Sequence, residues 1–401
     1  MKLQFSDKQK QYMREADARW NFKVGAVRSG KSFVDTASMI PYRIRERVGD
    51  PGIVAILGVS SGTVERNVLQ PMREIYGHKL IGQINNKNIA RVCGEKVYCL
   101  GAEKISQVSK IQGASIKYCY GDEVAKWSPD VFQMLKSRLD KENSCFDGAL
   151  NPEGPRHWLK EFIDDPKLDI YKQHYTIFDN PFLPKKFVDG LCKEYAGSVF
   201  YKRLILGEWA LAEGLVYNMF SLDDHIVTGE IKYNPRCYYY VSIDYGTINP
   251  FAALLIEYNP FTRVSTICKE LYYKGRSDAP RVDNEAYYKM LCDLIGNINI
   301  RHIIIDPSAA SMIQTIKKYG RYYCVGANND VQNGIMEVTK YLNMKMLKVH
   351  ESCKNVINEF HAYSFDSKKG GGEVVKEEDH AMDAIRYYIY TEARKLNAFY
   401  V

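Results

Sequence analysis

Val24-Gly25-Ala26-Val27-Arg28-Ser29-Gly30-Lys31-Ser32 fits the pattern G-x-x-x-x-G-K-[ST] at every fixed position. The residues before it, Asn21 to Val24, read as a short strand, and Phe33 to Ile40 after it read as a helix. Strand, glycine loop and helix are the context that a phosphate-binding loop requires. Backbone N–H groups from Gly25 to Gly30, Ser29 among them, and the helix N-terminus would cradle the phosphates. Lys31 would reach the β- and γ-phosphates, and the Ser32 hydroxyl would bind Mg²⁺. A chance match in a chain of this length is on the order of one per cent.

Working outward, an apolar run from Ile116 to Tyr120 ends in Gly121-Asp122-Glu123. An acidic pair at the end of a buried strand is the natural partner of the loop. Asp122 would hold the Mg²⁺ through water, and Glu123 would orient and deprotonate the attacking water. Arg28 lies inside the loop. It is either an arginine that stabilises transition-state charge in cis or an exposed loop residue. Gln9 precedes the first strand. Its amide can pair with N6 and N7 of adenine, which selects ATP, or it is a solvated helix residue.

The 401 residues suffice for two or three domains, with 46% hydrophobic and 26% charged residues, an ordinary globular balance. The net charge of +7 is compatible with nucleic acid without being diagnostic of it. The 30 tyrosines are numerous enough to offer base stacking, but most belong in the core or in half-buried strands. Ten cysteines form no C-x-x-C pair, and many sit in apolar runs, which favours reduced buried thiols over disulfides or a zinc site. A polar start from Met1 to Gln11, and no apolar run of membrane-spanning length, predict a soluble intracellular protein without a signal peptide and without membrane association.

Strands at Ile53–Val59, Lys96–Gly101 and Ile116–Tyr120 alternate with helices at Val64–Tyr76 and about Asp130–Leu139. This alternation predicts a mostly parallel α/β sheet. A mixed helical stretch from Asn180 to Glu213 contains Gly207-Glu208-Trp209. A second pattern then begins. Strands at Cys237–Gly246, Phe251–Tyr258 and Val264–Tyr272 form an antiparallel meander, followed by a helix from about Asn284 to Leu294. His302-Ile303-Ile304-Ile305-Asp306 is an apolar strand ending on a carboxylate, and a last helix runs from about His380 to Leu396. Lys368-Lys369-Gly370-Gly371-Gly372 reads as a flexible loop. The expected organisation is an ATPase domain over 1–213, a connector over 214–236 and a second α/β domain over 237–401.

Asp244 ends the first strand of the meander, and His380 and Asp383 share a face of the last helix. If the sheet sets the strand ends at Asp244 and Asp306 side by side, three carboxylates and one imidazole converge. Such a set binds two Mg²⁺ or Mn²⁺ ions, about 3.5–4 Å apart in phosphodiester-cleaving sites. Asp379, beside the helix start, reads as an N-cap.

These features together resemble the large terminase subunit of tailed bacteriophages, the DNA-packaging motor that carries a nuclease. The resemblance rests on Gly25 to Ser32, Asp122-Glu123, Asn151-Pro152 after a strand, Gly207-Glu208-Trp209 to Leu215-Val216-Tyr217, and Asp379-His380-Ala381-Met382-Asp383-Ala384-Ile385-Arg386-Tyr387. It implies an N-terminal P-loop, RecA-like ATPase and a C-terminal RNase-H-like nuclease. It makes Gln9 the adenine-reading glutamine and Asn151 part of the motif that couples ATP state to DNA grip. Asp244, Asp306 and Asp383 become the metal-binding carboxylates, with His380 a fourth ligand. It further implies ATP and Mg²⁺ as cofactors, with Mn²⁺ able to replace Mg²⁺ in the nuclease. The implied partners are double-stranded DNA, a portal protein and a small terminase subunit, with a homo-oligomeric ring on the portal; whether the free protein is a monomer is left open by the sequence. The setting is the host cytoplasm. One departure stands out: where members often carry an arginine shortly before the acidic pair, this chain has Lys110-Ile111-Gln112-Gly113. Lys110, Arg28 and Arg138 are thus the candidates for the activating charge. A repair-type helicase-nuclease and a nucleotide-switched DNA-binding adaptor without turnover are the alternatives.

Overall fold

The computed structural model describes residues 3–245, 251–273, 283–366, 372–377 and 379–398. The chain divides into two units, Met1–Val188 with Tyr201–Leu211, and Asp189–Phe200 with Ala212–Val401.

The first unit is built on strands β1 (Trp20–Gly25), β2 (Ile53–Gly58), β3 (Ile89–Val92), β4 (Glu95–Gly101), β5 (Ile116–Asp122), β6 (Cys145–Leu150) and β7 (Ile170–Tyr175). Their order is β3-β4-β2-β5-β6-β1-β7. Only β3 is antiparallel to its neighbour. β1, β5 and β6 are buried at every residue, as expected of parallel strands covered on both faces. On one face, Trp20, Phe22, Phe132, Phe146 and Phe162 pack as an aromatic cluster.

The other face carries buried charge. Lys23 of β1 and Asp35 of the phosphate-loop helix are both 0% exposed and 2.8 Å apart. Asp147 of β6 accepts from Tyr12 Oη at 2.9 Å and from Arg43 Nε at 3.2 Å. Burial pushes the Asp35 carboxyl up to about 7, against the pull of Lys23. The helix is thus tied to the sheet through paired ions that its apolar pattern does not announce. Removing one member of such a pair costs about 3–5 kcal/mol, because the other charge stays buried.

Because the strands run parallel, Gly25, Gly58, Gly101, Asp122 and Leu150 end on one edge of the sheet. The crevice outside these carboxyl ends is where open α/β sheets bind ligands.

The second unit is a sheet of β8 (Ile226–Val227), β9 (Tyr238–Asp244), β10 (Phe251–Tyr258), β11 (Ser265–Tyr273), β12 (Ile300–Ile305), β13 (Cys324–Gly326) and β14 (Leu347–His350), in the order β13-β12-β9-β10-β11-β14-β8. β9, β10 and β11 form the expected antiparallel meander. β12 pairs in parallel with β9, with Ile305 opposite Ile243, so Asp244 and Asp306 leave the sheet side by side. The last helix, His380–Tyr388, continues through a wide turn, Ile389–Ala393, into Arg394–Ala398. It lies on β9, where Ser242 Oγ donates to the Ala384 carbonyl at 2.6 Å. Residues Ala381 to Ile389 are all buried, so this helix is enclosed rather than amphipathic.

The ten cysteines are free thiols. Among the described residues no helix is long and apolar enough to cross a membrane. Gly246, Lys368, Lys369, Gly370 and Gly371 lie outside the described residues.

Candidate functional site

The phosphate loop leaves β1 at a point of close backbone approach. A Cβ on Gly25 would meet the Tyr175 carbonyl oxygen at 2.0 Å, and one on Gly207 would meet the Gly25 Cα at 2.6 Å. Glycine at both positions is therefore a packing demand, which gives Gly207 a role in seating the loop. Amide side chains hold the loop from outside. Gln9 Nε2 donates to the Gly30 carbonyl at 2.9 Å, and Asn180 Nδ2 donates to the Arg28 carbonyl at 2.7 Å.

Beside the loop is a cleft of about 470 Å³, lined by Arg28, Lys31, Ser32, Asp122, Glu123 and Asn151 together with Arg66 and Asn67. Lys31 is buried. Its Nζ bonds the carbonyls of Gly25 and Ala26, Ser29 Oγ at 3.3 Å and Asn151 Oδ1 at 3.1 Å. Burial pulls its ammonium down to about 7, opposed by the carboxylate of Asp122. Asp122 accepts from Asn67 Nδ2 at 3.1 Å. Burial pushes the Asp122 carboxyl up to about 6 against that bond. Ser32 and Asp122 offer a hydroxyl and a carboxylate on the same cleft, the oxygen donors that Mg²⁺ takes.

Two non-glycine residues here adopt left-handed backbone, Arg28 (φ 55) and Glu123 (φ 51). Such conformations cost about 1–3 kcal/mol and collect at functional sites. Both side chains are exposed toward the cleft. Arg138 is not there: its carbonyl receives Ile116 N–H at the start of β5, a strand length of roughly 20 Å from Asp122. The Lys110 side chain lies outside the described residues.

Across Gly30 is a second pocket of about 340 Å³, lined by Leu3, Gln4, Gln9, Phe33, Asn180 and Phe182. Gln9 is buried, and its Oε1 accepts from Ser6 N at 2.8 Å. An amide has two N–H donors and two acceptor lone pairs. With Ser6 and Gly30 served, Gln9 keeps one of each for a base, and Phe33 and Phe182 offer flat apolar faces.

In the second unit, Asp244 Oδ2 lies 2.8 Å from His380 Nδ1. Burial disfavours the charged imidazole, but Asp244 together with Asp379 and Glu359 outweighs it, and the net shift of His380 is upward. Asp306 accepts from Ser308 N at 2.7 Å, Asn329 Nδ2 at 3.1 Å and Tyr387 Oη at 3.3 Å. Burial alone would raise the Asp306 carboxyl, yet these donors hold it below its usual value. Asp383 is paired with Arg386 at 2.9 Å and with Lys376 at 3.5 Å. Arg386 is itself buried, and a Cβ on Gly334 would strike its Cγ at 2.4 Å, so that helix needs glycine there. Asp379 does not cap the helix through its side chain. Its buried Oδ2 is ion-paired with Lys376 Nζ at 3.3 Å.

The donor chemistry fits a hard divalent cation. The side chains are nevertheless tied to other partners, and among the described residues no three His, Cys, Asp or Glu groups stand close enough to share one ion. Asp244 Oδ2 is engaged by His380, and Asp383 Oδ2 by Lys376.

Several site residues carry no motif: Asn67, Arg66, Asn180, Lys376 and Glu359. Glu359, on the helix Lys354–Ala362, caps the last helix in place of Asp379. Its Oε2 accepts Ala381 N at 2.8 Å and Met382 N at 3.1 Å, and its Oε1 accepts Tyr272 Oη at 2.5 Å. A carboxylate there meets orphan N–H donors and the positive helix end. Glu359→Ala is expected to destabilise the protein by about 1–3 kcal/mol, with Glu359→Gln losing less. Denaturant unfolding checks this; equal stability of all three proteins would remove the cap from the account.

Two family models match the chain. One, described as terminase large subunit, T4likevirus-type, N-terminal, covers residues 24–224. The other, described as terminase RNaseH-like domain, covers residues 266–392. Among solved structures, the large terminase of a thermophilic bacteriophage is similar over 97% of this chain and 99% of that one, at 30% identity and a TM-score of 0.85. The same phage protein in complex with ADP aligns with a TM-score of 0.83, and in complex with ATP-gamma-S with 0.82, each at 30% identity, 97% coverage of this chain and 99% of that one. No curated protein matches the sequence. With both halves matched by terminase models and near-complete coverage of a large terminase at 30% identity, the chain belongs to the bacteriophage terminase large-subunit family, in which an ATPase is joined to an RNase-H-like nuclease.

Proposed function

We propose that this chain hydrolyses ATP to drive double-stranded DNA into a procapsid, and that a two-metal endonuclease in its second half cuts concatemeric DNA. The observation that carries the motor reading is the bond from Lys31 Nζ to Asn151 Oδ1 at 3.1 Å. It joins the phosphate-binding lysine to the end of β6, the strand whose end would pass nucleotide state onward. Gly25, Ser29 and Gly30 supply loop backbone, and Lys31 and Arg28 supply charge to the phosphates. Ser32 and Asp122 would hold the nucleotide's Mg²⁺, which neutralises phosphate charge when bound. Glu123 takes the proton of the attacking water. Gln9 reads the base.

In the nuclease, Asp244, Asp306 and Asp383 would hold divalent ions, Mg²⁺ or Mn²⁺, with His380 beside them. Such ions activate water and stabilise the leaving oxygen. The neighbouring ends of β9 and β12 support this assignment, since they set two of the carboxylates side by side. Residues 1–213 act as the ATPase, 214–236 as connector and 237–401 as the nuclease. DNA is held mainly through phosphates and without sequence preference. The portal protein, a small terminase subunit and further copies of this chain in a ring are the partners, in the host cytoplasm.

The test is DNA-stimulated turnover. Purified protein is expected to hydrolyse ATP faster when linear double-stranded DNA is added. ATP binding without turnover, with or without DNA, would support an adaptor instead, and unwinding of a forked duplex would support a helicase.

A further inference from the structure

The helix that follows β2 contributes a second arginine to the nucleotide cleft. Arg66 and Asn67 lie on its wide turn, Glu65–Leu69, and both line the cavity. Wide turns of this kind are frequent at functional sites. Arg66 Nε donates to Asn67 Oδ1 at 3.2 Å, and Asn67 Nδ2 donates to Asp122 Oδ2 at 3.1 Å. The Asn67 amide thus turns its oxygen to the guanidinium and its nitrogen to the carboxylate, the orientation that serves both. The nearby carboxylate of Glu65 is occupied by Arg73. Among the described residues, the hydrogen bond to Asn67 is the only one the Arg66 guanidinium makes, and the side chain is exposed.

We propose that Arg66 binds the γ-phosphate in cis and that Asn67 is the positioning residue that aims it. The inference rests on reading this cleft as the nucleotide site. The γ end follows from Asp122: the residue assigned to the nucleotide's metal is one amide away from the guanidinium, whereas the base pocket at Gln9 and Phe33 is a separate cavity. A planar guanidinium suits phosphate oxygens better than a lysine does. In hydrolysis, the water oxygen bonds to phosphorus and its proton goes to Glu123. The bond to the bridging oxygen breaks, and ADP and inorganic phosphate form. The N–H donors of Arg66 meet the charge on the transferred phosphoryl group as this occurs. The chain then has two cis arginines for that charge, Arg28 from the loop and Arg66 from the helix after β2.

The test uses the full chain with saturating linear DNA. kcat and KM for ATP are measured beside the affinities for fluorescent ATP and ADP analogues, for Arg66→Ala, Arg66→Lys, Asn67→Ala and Lys31→Ala. Arg66→Ala is expected to lower kcat about 10²-fold or more. ATP affinity should fall about tenfold while ADP affinity is unchanged, since ADP lacks the γ-phosphate. Arg66→Lys should recover part of kcat, and Asn67→Ala should lower kcat less than Arg66→Ala does. Parental kcat in Arg66→Ala beside an inactive Lys31→Ala would overturn the inference and leave the nucleotide site standing. Equal loss of ATP and ADP affinity would overturn it as well, by removing the γ-phosphate from the contact. Parental turnover in Lys31→Ala would overturn the reading of the cleft and the inference with it.

Discussion

Lys31→Ala is expected to lower ATP turnover by about 10²–10³-fold or more and to leave DNA cleavage at the parental level. The lysine is the one buried cation of the cleft, and its four partners are the loop carbonyls, Ser29 and Asn151. Those contacts hold its ammonium within the loop without a carboxylate bonded to it, so its charge is available to an incoming polyphosphate. Alanine removes that charge and also the link between the loop and β6. The loss should therefore appear in both kcat and nucleotide affinity, unlike the loss in Arg66→Ala. Steady-state phosphate release with and without DNA checks it. Cutting that falls in parallel with turnover would mean that the two activities are not separable.

Asp306→Ala is the converse. It is expected to abolish metal-dependent cleavage and to leave ATP turnover within about twofold, because Asp306 belongs to the other unit and, among the described residues, shares no hydrogen-bond partner with the nucleotide cleft, and sites without shared partners act additively. The reason lies in the sheet. β12 delivers Asp306 next to Asp244, and Ser308, Asn329 and Tyr387 keep it ionised and oriented. Loss of those hydrogen bonds costs on the order of 1 kcal/mol each, too little to unfold the chain. Asp306→Asn keeps the side chain's shape and part of its bonding while halving its oxygens. Cleavage abolished in both variants would assign the defect to lost metal binding rather than to lost structure. Cleavage retained in both would remove Asp306 from the metal site.

The phosphate loop was legible because its chemistry is local: nine consecutive residues specify the strand end, the turn and the helix start. Asp122-Glu123 was legible for the same reason, as a carboxylate pair closing an apolar strand. The convergence of Asp244 and Asp306 was legible only as a condition, since 62 residues of chain separate them and the condition concerns strand order. The observed pairing of β12 with β9 meets it. What the sequence could not reveal are partners chosen by tertiary placement. Asn67 meets Asp122 across 55 residues, and Asn180 meets Arg28 across 152. Neither amide has a spacing that marks it. Glu359 caps a helix to which it does not belong, so the local signal at Asp379 gave the N-cap position but not the side chain that serves the helix N–H groups. Lys23 and Asp35 interrupt apolar patterns individually and make sense only as a buried pair. Short strands such as Ile226–Val227 have too few residues to show a period.

The arrangement of the second unit bears on the metal dependence expected of the proposed nuclease. Asp383 is held by Lys376 and Arg386, and Asp244 Oδ2 by His380, so a divalent ion at the proposed site would share the Asp383 oxygens with two basic side chains and meet Asp244 beside an imidazole. Metal dependence is therefore the sharpest property to measure.

The proposed function requires that one chain carry two separable sites, one for nucleotide hydrolysis and one for metal-dependent cutting. Plasmid cleavage in Mn²⁺, Mg²⁺ or EDTA, with ATP turnover read on the same preparations of the parent, Lys31→Ala and Asp306→Ala, tests it most directly. Cleavage is expected from the parent with metal and not with EDTA, retained in Lys31→Ala and lost in Asp306→Ala, with turnover following the opposite pattern. Cleavage that persists in EDTA or in Asp306→Ala, or turnover that persists in Lys31→Ala, would contradict it.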